Sequence, residues 1–109
     1  MAVVVATVAL LLPTTPTVDA LGSWGGSVGV CSIFAQSYQQ SSTIYASTQR
    51  LSGGTACVSY GARAQSGSLF SSWNWNATYA LAAQANSGTP DGGQHRGCGS
   101  SGCGPTKYT

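Results

Sequence analysis

Glutamate is missing from this 109-residue chain, and Asp19 and Asp91 are its only side-chain carboxylates. His95 is the one histidine and Lys107 the one lysine. Hydrolysis of glycosides by a pair of carboxylates is therefore excluded from the region around Asp91, where no second acid exists. General acid–base chemistry would have to rest on Asp91 and His95, four positions apart in a glycine-rich segment. Such a segment does not hold a triad, so His95 is expected to be a solvated residue and the protein not an enzyme. The cations Arg50, Arg63, Arg96 and Lys107 are widely spaced. That excludes the clustered basic footprint of a nucleic-acid binder.

A long apolar run is also missing. Ala2 to Leu12 is apolar apart from Thr7, but it stops at Pro13 after eleven residues. Crossing the hydrocarbon core takes about 20. A short apolar core, a helix breaker and Val18-Asp19-Ala20, with small residues at the positions a signal peptidase reads, form the pattern of a secretory signal peptide spanning 1–20. The run lacks a preceding Lys or Arg, and the lesser alternative is a buried strand over residues 3–12, which its valines would favour. With cleavage after Ala20, removing 20 of 109 residues leaves 89.

A domain of that size has little core and often needs a covalent staple. Cys31, Cys57, Cys98 and Cys103 are even in number in a short chain with a signal-peptide pattern, which reads as two disulfides. Three connectivities exist, and pairing neighbours, Cys31–Cys57 and Cys98–Cys103, is favoured. The rival is a metal set of His95, Cys98 and Cys103, whose spacing matches no standard zinc pattern. No cofactor is implied.

Low charge does not here mean disorder. Three Trp, five Tyr and two Phe exceed what disordered chains carry. Val28 to Tyr38 and Thr43 to Leu51 read as strands around a polar turn at Gln39 to Ser42. From Ala56 to Gln65 the chain alternates, with Tyr60, Ala62 and Ala64 on one face and Gly61, Arg63 and Gln65 on the other. Leu69 to Leu81 continues with Trp73, Trp75, Tyr79 and Leu81 on one parity, and Ala80 to Ala85 has helical propensity suited to a closing turn. From Asn86 onward Gly, Ser and Pro dominate. The expected fold is all-β, a small antiparallel sheet or β-sandwich over 21–85, with a Gly/Ser-rich, poorly ordered C-terminal tail over 86–109.

Trp73 and Trp75 on one face suit a stacking platform for a sugar ring, an interfacial patch for lipid, or the core of a small domain. Asn76-Ala77-Thr78 is a glycosylation sequon, but Ala- and Gly-rich usage with a single lysine points to a GC-rich bacterial genome, where a sequon is accidental.

Gly22-Ser23-Trp24-Gly25-Gly26, Ser37-Tyr38 through Ala46-Ser47-Thr48, Gly61-Ala62-Arg63-Ala64 and Trp73 to Tyr79 together resemble the lactococcin-972-like bacteriocins, small secreted proteins of Gram-positive bacteria. The likeness runs from Gly22 to about Leu81. It implies a β-sandwich acting at the cell envelope. On this basis Trp24, Trp73, Trp75 and Tyr79 are expected to contact an envelope component, with Arg50 and Arg63 attracting its anionic groups. A structural or adhesive surface protein is the alternative.

Overall fold

The computed structural model describes residues 18–88 and 91–109. The apolar run over 2–12, whether signal core or strand, lies outside the described residues, while the expected cut after Ala20 falls within the first described strand.

The architecture is two antiparallel sheets packed face to face. Strands β1 (Val18–Ser27), β2 (Ser32–Gln40), β3 (Thr43–Arg50) and β7 (Tyr79–Ala85) form the first sheet in the order β1-β2-β3-β7. The second contains β4 (Ser59–Ser66), β5 (Leu69–Phe70), β6 (Asn74–Asn76), β8 (Asp91–Gly99), β9 (Gly102–Cys103) and β10 (Lys107–Tyr108). Its path is β10-β8-β4-β5, with β6 also on β4 and β9 on β8. The all-β antiparallel class expected from sequence is thus the class observed.

The core follows from the period-two alternation. Ile33 and Ala35 of β2, Ile44 and Ala46 of β3, and Ala80 and Ala82 of β7 face Tyr60, Ala62 and Ala64 of β4, all buried. Cys31 bonds Cys57 and Cys98 bonds Cys103, the favoured pairing. The first bridge joins the approach to β2 in one sheet with the approach to β4 in the other. The second ties opposed residues of β8 and β9. Because Cys98 and Cys103 hold each other, the alternative metal set with His95 does not form. Two disulfides suit an oxidising compartment. Among the described residues no helix is long and apolar enough to cross a membrane.

Three expectations need correction. The segment read as a poorly ordered tail contains β8, a nine-residue strand that pairs with β4 along its whole length, from Ser59↔Cys98 to Ser66↔Asp91. Its inward positions are Gly93, His95 and Gly97, so the alternation is real but carries no hydrophobic signature. His95, expected to be solvated, is fully buried. Second, Ala80 to Ala85 is strand, not a helical turn, because its small side chains at alternate positions fit beneath the second sheet. Third, Leu69 to Leu81 is not one strand. It breaks into β5, β6 and the start of β7, and changes sheet at Ala77-Thr78.

Candidate functional site

The break after β6 is made by Asn76. Its Oδ1 accepts from the backbone N–H of Thr78 at 2.9 Å, the Thr78 hydroxyl at 3.1 Å and the Tyr79 N–H at 3.2 Å. A short polar side chain that captures the following amides turns the chain there. Asn74 Nδ2 donates to the Leu81 carbonyl at 2.6 Å and secures β6 to β7. In consequence Trp73 and Trp75 stay with the second sheet while Tyr79 goes to the first.

On the outer face of the second sheet Trp75 is paired with Gly61. Three atoms of its six-membered ring lie 2.6–2.9 Å from where a Cβ on Gly61 would stand, so the ring face covers the glycine backbone. Only glycine permits that approach. Trp73 stacks on Trp75 with centroids 5.6 Å apart and planes 23° apart. The Arg63 guanidinium lies 4.3 Å from the Phe70 centroid and 5.9 Å from that of Trp73. Arg63 Nε donates to the Ser71 carbonyl at 3.3 Å, which orients the guanidinium. Ser71 is itself fixed to Ala64 by a backbone bond and by its hydroxyl, each 2.9 Å. Trp75 remains 46% exposed and Phe70 40%. The two tryptophans are therefore a surface ladder and not the core.

Arg96 pairs with Gly61 from the other side and shares this outer face. The face thus holds two cations. The one acid on these strands, Asp91, pairs with Ser66 and occupies the opposite, inward parity, where Ser66 Oγ donates to it at 3.0 Å.

Of the six residues expected to bind, the structure brings Trp73, Trp75 and Arg63 together. Trp24 stands elsewhere, on edge strand β1, packed against the core with the Lys107 ammonium 4.7 Å from its ring. Tyr79 lies on the outer face of the first sheet. Arg50, at the end of β3, lines an open depression of about 550 Å³ with Phe34, Gln49, Leu51, Ser52 and Thr78. Gly61, Phe70 and Arg96 were not anticipated. Gly61 had a signal, since a glycine inside a clean alternation marks a close approach. Phe70 and Arg96 had none, because only the pairing of β5 and β8 with β4 places them.

His95 lies between the sheets. Thr48 Oγ1 donates to the Gly61 carbonyl at 2.8 Å and stands 2.8 Å from His95 Nδ1. With its one proton so used, Thr48 accepts from Nδ1–H. Nε2 is then the unprotonated nitrogen and accepts from the Thr109 hydroxyl at 2.7 Å. Burial pushes the imidazole pKa down to about 4, offset in part by the Ser47 backbone. A neutral ring with both nitrogens engaged is a structural element. Compared with protein-family models, curated proteins and solved structures, the chain matches none.

Proposed function

We propose that this is a secreted, non-enzymatic antibacterial protein that binds an anionic component of a bacterial cell envelope through the outer face of the second sheet. The observation that supports this most is the Trp73–Trp75 stack laid flat on Gly61 beside Arg63. An indole pinned by a glycine backbone costs little conformational entropy to order on binding. It offers a ring face for stacking rather than a wedge for insertion. Arg63 and Arg96, with no carboxylate on the same face, add attraction for a phosphate or carboxylate group. The two disulfides accord with secretion. The resemblance to lactococcin-972-like bacteriocins supports an antibacterial use of such binding. The engaged imidazole of His95 favours binding over catalysis.

The test is co-sedimentation of the purified protein with isolated Gram-positive cell walls, together with growth inhibition of Gram-positive strains. A methyl group at Gly61 would displace the far end of the Trp75 side chain without touching the core. Gly61→Ala and Trp75→Ala are each expected to lower wall binding about tenfold or more, the loss of one well-formed aromatic contact, while the melting temperature stays close to that of the parent. Arg63→Gln is expected to weaken binding and flatten its salt dependence. Native protein that neither binds walls nor slows growth would overturn the proposal.

A further inference from the structure

Strands β2, β3 and β7, of 9, 8 and 7 residues, contain a single charged residue, Arg50. Their outward positions form four rows across the first sheet, the last of them Gln40, Thr43 and Ala85. Phe34 stands beside Gln49 and Tyr79, Gln36 beside Ser47 and Leu81, and Tyr38 beside Tyr45 and Ala83. Tyr38 and Tyr45 stack with centroids 5.2 Å and planes 20° apart. Tyr79 and Leu81 are 43% and 40% exposed. The first and third rows are four residues apart along the strands, about 14 Å at roughly 3.4 Å per residue. Aromatic rings thus flank a row in which the Gln36 amide and Leu81 reach the surface and the Ser47 hydroxyl is buried beneath them. The depression of about 550 Å³ bordered by Arg50 opens at the Phe34 end.

We infer that this outer face of the first sheet is a second binding site, for an uncharged polysaccharide chain, separate from the Trp73–Trp75 ladder. Sugar rings present C–H faces that stack on phenol and phenyl rings. Sugar hydroxyls exchange hydrogen bonds with glutamine side chains, each able to donate and to accept. A neutral ligand requires no buried counter-charge, and none of these rows supplies one. A membrane-seeking face would combine its aromatics with Lys and Arg. A dimer face would close its centre with several large apolar groups, whereas the row between the aromatic ones presents Gln36 beside a single leucine, Leu81. The composition therefore singles out a neutral glycan. This site does not depend on the ladder: the two occupy outer faces of different sheets and differ in charge.

The experiment is retention of the purified protein on microcrystalline cellulose and on chitin, and its retardation by a soluble neutral β-glucan in native gels. All are run at about 0.5 M NaCl, where the screening length is only a few ångströms. Retention on at least one of these is expected to persist in salt and to fall about tenfold in Tyr79→Ala and in Tyr45→Ala. Tyr45→Phe should retain binding, and Trp75→Ala should be without effect. Tyr79 is exposed, so its variant reports even where Tyr45→Ala fails to fold. Three results would overturn the inference: no retention on any neutral glycan, retention abolished by Trp75→Ala but not by Tyr79→Ala, or a dimer in sedimentation equilibrium that Tyr79→Ala dissociates. Loss of wall binding in the ladder variants with glycan retention intact would bear on the first site alone.

Discussion

His95 holds its proton on Nδ1 because the Thr48 hydroxyl proton is already committed to the Gly61 carbonyl. That neutral tautomer joins β3, β8 and Thr109 across the middle of the molecule. The pKa of about 4 in the fold lies below the roughly 6.5 of a free imidazole. Below pH 6.5 the unfolded chain takes up a proton that the folded chain refuses. The histidine's contribution is thus complete above about pH 6.5 and is lost progressively as the pH falls towards 4, on the order of 3 kcal/mol in total. Urea unfolding at pH 7 and pH 4.5 is expected to show this drop. In His95→Gln the slope across that window should largely vanish, whatever the absolute stability. Two aspartates and no glutamate leave few other groups to obscure it. Nothing in the sequence announced this residue. A lone histidine among glycines reads as solvated until β8 is known to be a strand.

Among the strands, those with a hydrophobic rhythm were legible. β4 alternates as expected over Tyr60 to Gln65, and β3 lies within one residue of its expected bounds. β1 and β8 were not legible, because glycine takes the positions where a period-two pattern would show apolar side chains. On β8, Gly97 is required by bulk: a Cβ there would lie 2.7 Å from Cys57 Sγ and 2.8 Å from both Ile33 and Val28. The Trp73–Trp75 ladder was half legible for a related reason. The parity of Trp73 and Trp75 placed them on one face, but the side-chain turn at Asn76 that parts them from Tyr79 reads only as a sequon in the linear chain. The Cys31–Cys57 bridge compensates for the small apolar content of these strands. By loop entropy it contributes on the order of 3 to 4 kcal/mol, against about 2 for the short Cys98–Cys103 loop. Cys31→Ser/Cys57→Ser is accordingly expected to lower the urea midpoint much more than Cys98→Ser/Cys103→Ser. Equal losses would mean that the bridge between the sheets acts no differently from the local one.

The sandwich as a whole is thin, 18 Å along its shortest axis, and its interior explains why. Alanine and glycine line much of the contact between sheets, so the backbones approach closely, with few large side chains as spacers. Gly93 of β8 marks such an approach, since a Cβ there would stand 2.7 Å from Ala46 Cβ and 2.9 Å from His95 Nε2. Neither neighbour is a flexible chain end: one is a methyl fixed to β3, the other a ring held at both nitrogens. Gly93→Ala must therefore separate the sheets locally or tilt the imidazole out of its two hydrogen bonds. Overpacking of this kind costs about 1 to 3 kcal/mol, which in a domain this small lowers the melting temperature by roughly 4 to 20 °C. The same strain should raise the exchange rate of the Thr109 amide, which donates to the Gly93 carbonyl at 3.0 Å. Both outer faces are built on this close-packed interior, so the variant is expected to weaken glycan retention and wall binding only as far as it unfolds the protein. A Gly93→Ala protein that melts with the parent would show that the sheets have room the geometry denies, and that their spacing is not set by small residues.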